Sequence, residues 1–232
     1  MLIDWPGRLA RERPFFAGII GCGDKVLDVG CGTGHHCRMF AELGAEVLGI
    51  DPSAPMLEQA RALTTGTNPR FHAGGLADIG AQGGQFDLIT ILGNTLSYVS
   101  AAAMLARTLR SAFRALAPGG RLVTQTINYD RLQTEGTLRF PLLARQYEGA
   151  DYLFLREYRL LQRRAEFTVQ RLNNANGWSY EQERSTHYPI ESTRLLVMAQ
   201  RAGFSKVDIF GDYERGEFVP GSSGSIIMVA TR

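Results

Sequence analysis

Three glycines at alternate positions, Gly30, Gly32 and Gly34, have the residue type and spacing of a turn that holds a ligand. Glycine lacks a Cβ atom, so the backbone can adopt positive φ angles and approach a ligand closely. The preceding segment 25–29 has the near-continuous apolar character of a buried parallel strand, and segment 38–43 is compatible with a helix. We therefore predict a strand, a tight turn and a helix, with a nucleoside bound on the turn.

A carboxylate follows this turn at the sequence spacing expected for a contact with a ribose. Asp51 ends a second predicted strand, 46–50, about 20 positions beyond the glycines, where it can accept hydrogen bonds from ribose hydroxyls. The glycine spacing argues against a dinucleotide, because the third glycine of that pattern would stand at His35, and Gly34 comes one position too early. A different nucleoside cofactor is expected.

The segment Leu27–Gly34 resembles the first motif of the class I S-adenosylmethionine-dependent methyltransferases, and Ile50–Ser53 with Met56 and Leu57 resembles the second. The resemblance implies S-adenosylmethionine as cofactor and S-adenosylhomocysteine as product. A glycine turn without a ligand is the alternative. The cofactor contacts that the resemblance implies are Asp28, Gly30, Cys31, Gly32, Thr33, Gly34, Asp51, Pro52, Met56, Gly75, Leu76, Ala77 and Leu92.

The adenine side of the implied site leaves two points open. Met56 stands where the resembled superfamily places a residue against the adenine ring, although a lone methionine on a helix can equally belong to the core. After the third strand, 70–73, that superfamily usually has Gly-Asp-Ala, with the acid at the adenine amino group. Gly75 occupies the acid's place here, so Asp78 or backbone carbonyls would have to serve.

Composition limits the other possibilities. The 232 residues, 44% hydrophobic and 21% charged, suit one globular domain, and a net charge of +2 is too small to indicate a nucleic-acid groove or an anionic membrane partner. No apolar run approaches the roughly 20 residues that span a bilayer, and the first residues lack signal-peptide features, so we expect a cytoplasmic protein. Cys22, Cys31 and Cys37 fit neither a disulfide framework nor a paired zinc motif, which favours reduced thiols and no metal.

The elements that must position these residues form an α/β fold, with helices predicted at 35–43, about 53–63, 101–116 and 191–202. The resemblance implies a doubly wound, mostly parallel seven-stranded sheet whose last strand is antiparallel, and periodicity predicts an antiparallel β insertion of about three strands after the fifth strand. Pro14 should break the N-terminal helical segment. This segment carries Trp5 and Arg8 and forms either a lid over the site or a helix packed on the sheet edge. Ser53 can cap the helix after Asp51. The predicted divisions of a single methyltransferase domain 1–232 are an N-terminal helical lid 1–24, a cofactor-binding core 25–128, a β insertion 129–188 covering the substrate site, and a C-terminal helix and strands 189–232.

Substrate-side candidates follow the fourth strand, 85–92. Asn94, Thr95 and Tyr98 lie where open α/β sheets bind ligands, although Asn94 and Thr95 could instead satisfy backbone groups of a turn. Tyr129, after the fifth strand, is predicted to wall the same pocket. His187 or Tyr98 could act as a general base, since imidazole titrates near neutral pH, but a lone histidine near a strand end is often structural.

Leu92–Tyr98, Asn128–Asp130 and Phe210–Tyr213, with the insertion, resemble the glycine and sarcosine N-methyltransferase branch. In glycine-methylating members an arginine before the second motif pairs with the substrate carboxylate; here that position is Ile127. The resemblance thus implies an acceptor other than glycine, unless an arginine of the insertion takes this part: Arg139, Arg156 or Arg184. The expected partner is a small-molecule methyl acceptor, methylated on N or O, with no nucleic acid or membrane and with a monomer or homodimer. The alternatives are a methyltransferase of tRNA or protein, and a cofactor-binding protein without transfer activity.

Overall fold

The computed structural model describes residues 3–175 and 177–232. The helices are α1 (Trp5–Ala17), α2 (His35–Glu42), α3 (Ala54–Ala62), α4 (Ala102–Ala115), α5 (Tyr129–Glu135) and α6 (Ser192–Ala202). The strands are β1 (Lys25–Val29), β2 (Glu46–Asp51), β3 (Arg70–Ala73), β4 (Phe86–Ile91), β5 (Leu116–Ile127), β6 (Thr137–Arg139), β7 (Leu143–Tyr147), β8 (Ala150–Leu161), β9 (Arg164–Asn173), β10 (Ser179–His187), β11 (Lys206–Phe210) and β12 (Ser225–Thr231).

The main sheet has seven strands in the order β3-β2-β1-β4-β5-β12-β11. Its first five strands are parallel, and β12 lies antiparallel between β5 and β11. The predicted mostly parallel sheet with an antiparallel last strand is therefore confirmed. Because β1 pairs with β2 on one side and with β4 on the other, the glycine turn that follows β1 lies at the topological switch point.

Successive residues of the central strands belong to two different cores, one on each face of the sheet. Val26 and Leu88 pack with the aromatic residues of α1 and α2, whereas their neighbours Leu27 and Ile89 pack with α4 and α6. Side chains alternate between faces along a strand, so a strand covered by helices on both faces reads as a continuous apolar run. This explains the character of segment 25–29.

The segment between β5 and α6 forms a second, antiparallel sheet, as predicted, in the order β10-β9-β8-β6 with β7 also paired to β8. The prediction of about three strands was too low, because β6 and β7 are short and have no clear alternation. The segment also begins with helix α5, which was not predicted. Asn128 caps this helix by accepting a hydrogen bond from the backbone N–H of Arg131 at 3.2 Å.

Two local predictions were wrong. The N-terminal helix α1 does not break at Pro14, which stands in its last turn, where a proline removes a single hydrogen bond and the buried Phe15 and Phe16 hold the following residues in place. Ser53 precedes α3, but its side chain makes no capping hydrogen bond, and its backbone N–H instead donates to Asp51. Within the described residues, every helix is too short or too polar to cross a membrane.

Candidate active site

The three glycines of the turn have positive φ angles of 74°, 54° and 72° but do different work. A Cβ atom on Gly30 would stand 2.5 Å from the Thr95 hydroxyl, and one on Gly34 would stand 2.7 Å from the ring of Phe71. A Cβ atom on Gly32 would meet nothing within 4 Å. Gly30 and Gly34 are therefore required by packing, and Gly32 is the position at which the turn faces open space.

Asp51 joins the glycine turn to two neighbouring segments. One of its carboxylate oxygens accepts the backbone N–H of Gly32 at 2.9 Å and the other accepts the N–H of Ser53 at 2.9 Å. Its backbone carbonyl accepts the N–H of Gly74 at 3.2 Å. The structure thus brings together the three segments predicted to contact the cofactor. The assignment of Asp51 to ribose hydroxyls stays a prediction.

Met56 on α3 and Gly75 after β3 both leave open surface. Met56 is 45% exposed, and a Cβ atom on Gly75 would meet nothing within 4 Å. The Asp78 carboxylate accepts the N–H of Gly75 at 2.9 Å, so it already has a local partner.

The remaining predicted cofactor contacts divide into an interior group and a rim. Asp28 is 2% exposed, and its carboxylate accepts hydrogen bonds from the Thr90 hydroxyl at 2.7 Å and the Cys37 thiol at 3.4 Å. Burial raises the pKa of Asp28. The buried members are Cys31, Leu76 and Leu92, Thr33 is half-buried, and Pro52 and Ala77 are exposed.

A cavity of about 440 Å³ opens at the carboxyl ends of β4 and β5. The sheet contributes Gly93, Asn94, Gln125 and Ile127 to its wall, and the insertion contributes Phe140, Arg156, Tyr158 and Phe167. The N-terminal segment adds Ile3, Arg8, Arg11 and Glu12, and the segment after β11 adds Tyr213. The cavity therefore lies between the main sheet, the antiparallel sheet and α1.

Asn94 holds the two sheets together at this cavity. Its backbone is left-handed, with φ of 67°, and its Oδ1 accepts the backbone N–H of Ile127 at 2.6 Å. Its Nδ2 donates to the Tyr158 hydroxyl at 3.2 Å. Asn94 thus satisfies a backbone group and also lines the cavity, whereas the side chain of Thr95 packs against Gly30.

His187 stands in a cluster of hydroxyl groups behind the cavity. The hydroxyls of Tyr129 and Tyr158 each lie 3.2 Å from its Nδ1, and the Ser185 hydroxyl lies 3.2 Å from its Nε2. Burial lowers the pKa of His187 to about 4, so the ring is neutral at neutral pH. Tyr158 is the member of this cluster that lines the cavity.

The other two substrate-side candidates lie around the same histidine. Tyr129 is fully buried at the start of α5, and burial raises its pKa. The ring of Tyr98 lies 4.7 Å from that of His187 and is 57% exposed. Neither tyrosine is among the residues that wall the cavity, and their roles stay predictions.

A buried contact between a carboxylate and a histidine docks α1 onto α2. Glu12 is 5% exposed, and its carboxylate lies 2.6 Å from His36 Nε2 and 2.7 Å from Arg8 Nε. Burial by itself would raise the pKa of Glu12, but His36 and then Arg8 hold it below its usual value. Trp5 stacks on His35 at 4.3 Å. Because α2 begins at the glycine turn, α1 contacts both the turn's helix and the cavity.

Sequence reasoning missed several residues of the cavity wall. Phe140, Tyr158 and Phe167 come from the insertion, and Tyr213 follows β11. The alternation of β8 was visible in the sequence, but the pairing that turns Tyr158 toward Phe167 was not. Among the residues that the structure describes, no cluster of three or more histidines, cysteines or acids could hold a metal ion, and all three cysteines are unpaired.

Residues 26–120 match the family described as methyltransferase domain. The chain is 35% identical over 124 residues to the ubiquinone biosynthesis O-methyltransferase of Chelativorans sp., a match covering 53% of this chain and 46% of that relative. It is 28% identical over 221 residues to the glycine/sarcosine N-methyltransferase of Parasynechococcus marenigrum, covering 92% of this chain and 75% of that relative. The chain thus spans less than half the length of the first of these relatives.

A solved structure has the same fold over nearly the whole chain. It is S-adenosylmethionine-bound CalS10, an amino pentose methyltransferase from Micromonospora echinaspora, with a TM-score of 0.76, 22% identity, and coverage of 99% of this chain and 92% of that one. The family match, the relatives and the shared fold agree with the glycine turn at the switch point and with the strand order. Residues 26–120 are therefore similar to the methyltransferase domain family, and nearly the whole chain has the fold of a solved S-adenosylmethionine-bound methyltransferase.

Proposed function

We propose that this protein transfers a methyl group from S-adenosylmethionine to a nitrogen or oxygen atom of a small molecule. The observation that carries the proposal is the cavity of about 440 Å³ at the carboxyl ends of β4 and β5. Ligands of open α/β sheets bind at this edge, next to the switch point. The names of the two curated relatives, an O-methyltransferase of ubiquinone biosynthesis and a glycine/sarcosine N-methyltransferase, support a small acceptor.

The residues of the turn fit the cofactor. Gly32 and Gly75 each leave open space where a Cβ atom would stand, and the carboxylate of Asp51 lies against Gly32. We expect Asp51 to accept hydrogen bonds from the ribose hydroxyls and the exposed Met56 to cover the adenine ring. Pro52 and Ala77, also exposed, would form the rim.

The cofactor supplies a methyl group already activated by its sulfonium sulfur, so the task left to the protein is positioning. The nucleophile has to be held in line with the methyl group, with reacting atoms about 3 to 3.5 Å apart, and water has to be excluded. The insertion sheet and α1 cover the cavity and are suited to exclude water. Asn94 and Tyr158 are suited to hold the nucleophile in line with the methyl group.

The Tyr158 hydroxyl lies between Asn94 and His187. Asn94 Oδ1 accepts the N–H of Ile127, so Asn94 Nδ2 must donate to the Tyr158 oxygen. His187 Nδ1 lies 3.2 Å from both the Tyr158 and the Tyr129 hydroxyls, and when it is unprotonated its single lone pair accepts the proton of one of them. The Tyr158 oxygen uses one lone pair for the N–H of Asn94 and keeps another, which can accept a hydrogen bond from an N–H or O–H group of the methyl acceptor. Tyr158 would orient the nucleophile, with His187 as a positioning residue behind it.

Two measurements test the proposal. Calorimetric titration of the purified protein with S-adenosylmethionine should show binding, and a methyl-donor assay against amines, phenols and acids should find an acceptor. Failure to bind the cofactor would refute the proposal. Binding without transfer would leave a cofactor-binding protein, and transfer to tRNA or protein alone would favour the macromolecular alternative.

Variants test the positioning role. Tyr158→Phe should lower kcat/KM for the acceptor at least tenfold, about 1.4 kcal/mol of transition-state stabilisation, and leave cofactor affinity unchanged. Tyr147→Phe, at a tyrosine that is 50% exposed on β7, is the matched control. Tyr98→Ala and Tyr129→Phe test the sequence-based assignments by the same split between acceptor kinetics and cofactor affinity. Wild-type kinetics in Tyr158→Phe would remove that residue from the site.

A further inference from the structure

Arg156 is a charged residue of the insertion sheet that reaches the cavity. On β8, Phe154 and Tyr158 lie on one face and are buried, whereas Leu155 and Arg159 lie on the opposite face and are exposed. Side chains two residues apart share a face of a strand, so Arg156 stands on the same face as the two aromatic residues. It lines the cavity together with Tyr158.

Arg156 lacks a partner for part of its guanidinium group. Its Nη2 donates to the backbone carbonyl of Pro141 at 3.3 Å, and its Cζ lies 5.3 Å from the centre of the Phe140 ring. Its Nε is buried and has no hydrogen-bond partner in the part of the chain that the structure describes. Burial lowers the pKa of Arg156, and the charge of Arg145 adds to the effect. The guanidinium thus has a single backbone acceptor among the residues described, although the residue lines the cavity.

Arg139 and Arg184, the two other insertion arginines considered as partners of a substrate carboxylate, do not face the cavity. Arg139 pairs with Glu157 at 3.3 Å and its side chain is 77% exposed. Arg184 lies 3.9 Å from Glu166 and its side chain is 60% exposed. Both therefore belong to ion pairs on the solvent side of the insertion sheet. Arg156 has no acidic partner within the described residues.

The charges around the cavity point to the same conclusion. The N-terminal segment brings Arg8 and Arg11 to the wall, and the one carboxylate there, Glu12, is already engaged by Arg8 and His36. A cleft lined by an excess of one charge attracts ligands of the opposite charge. An anionic group on the ligand would complete the environment of the guanidinium.

We propose that the methyl acceptor carries a carboxylate that pairs with Arg156, on an apolar body larger than glycine that packs against Phe140, Tyr158 and Phe167. A planar carboxylate matches the donors of a guanidinium, which can bind its two oxygens together. The cavity of about 440 Å³ falls within the range of small-molecule sites, and three of its insertion residues are aromatic. The inference rests on the proposed function for the identification of this cavity as the acceptor site.

The test compares acids with their amides in binding, independently of transfer. With S-adenosylhomocysteine present, calorimetry measures phenylacetate against phenylacetamide, and phenylalanine and leucine against glycine. We expect phenylacetate to bind at least tenfold tighter than its amide, and both amino acids to bind tighter than glycine. Arg156→Gln should abolish the preference for the acid, and Arg156→Lys should restore part of it.

Arg139→Gln is the matched control, because it removes an arginine of the same sheet that faces solvent. Unfolding midpoints confirm that each variant is folded. Equal binding of acid and amide, no binding of any acid, or an acid preference that survives in Arg156→Gln would overturn the inference. Acid binding that depends on Arg156 without transfer to any acceptor would instead refute the proposed function and leave the inference in place.

Discussion

The contact between α1 and α2 offers a quantitative test of how the cavity is closed. Two side-chain pairs join these helices: Glu12 with His36 at 2.6 Å, with side chains 6% and 7% exposed, and Arg13 with Glu42 at 2.7 Å, with side chains 44% and 63% exposed. The geometry is similar and the burial is very different. Replacing Glu12 by alanine leaves His36 and part of Arg8 buried without their anionic partner.

The expected magnitudes follow from burial. Removing one partner of a buried pair costs about 3 to 5 kcal/mol, because the remaining polar group stays desolvated. Glu12→Ala should therefore lower the free energy of unfolding by about 3 kcal/mol. Arg13→Ala breaks an exposed pair and should cost less than about 1 kcal/mol. His36 lies near the rings of Phe16 and Phe40, so His36→Phe supplies an apolar replacement at the same place.

Urea unfolding measures the free energy of unfolding of each variant. Glu12→Leu and His36→Phe, each alone and both together, form a double-mutant cycle. Glu12→Leu combined with His36→Phe should cost less than the sum of the two single changes, with a coupling of about 2 kcal/mol, within the usual range for residues in contact. Additive effects would show that the pair contributes no coupling. A cost for Glu12→Ala no larger than that for Arg13→Ala would refute the argument from burial.

Three further predictions concern the site. Asp51→Ala should weaken S-adenosylmethionine binding by about 1.5 to 3 kcal/mol, the scale of hydrogen bonds to a charged group, and unchanged affinity by calorimetry would remove the ribose assignment. Gly32→Val should abolish cofactor binding and lower the unfolding midpoint through backbone strain alone, whereas Gly30→Val should lower the midpoint further because it also displaces Thr95; normal binding by Gly32→Val would contradict this. Burial lowers the pKa of His187 to about 4 in the folded protein, against 6.5 in the unfolded chain, so the unfolded chain takes up the proton first as the pH falls. The stability that this neutral histidine contributes is therefore complete above the unfolded pKa and is lost as the pH falls toward about 4. This contribution should amount to about 2 kcal/mol between about pH 7 and about pH 5, and should be absent from urea unfolding of His187→Gln.

Much of the cofactor half of the molecule could be predicted from the sequence, because its signals are local. The strand 25–29, the glycine turn and the acid at Asp51 lie within one short stretch, and their residue types suit the backbone conformations observed. The mostly parallel seven-stranded sheet with an antiparallel last strand followed from resemblance, and the structure confirms it. Pro14 was misjudged because the helix continues past it through Phe15 and Phe16, whose burial against residues distant in sequence is not visible in the local pattern.

The separate roles of the glycines were decided only by tertiary structure. Gly30 makes room for Thr95 and Gly34 for Phe71, residues far along the chain, and Gly32 alone of the three faces open space. The sequence shows three equivalent glycines, because nothing in their own neighbourhood says which distant side chain will approach each one.

The acceptor side depended on tertiary structure for the same reason. Alternation along β8 shows that Arg156 and Tyr158 share a face, but a shift of one residue in register would turn that face to solvent. The register is set by pairing with β6, β7 and β9 and by packing on the main sheet, which are interactions between residues distant in sequence. The sequence therefore determined that a strand, a glycine turn and a helix follow one another, and only the folded chain decided which of the three insertion arginines faces the cavity.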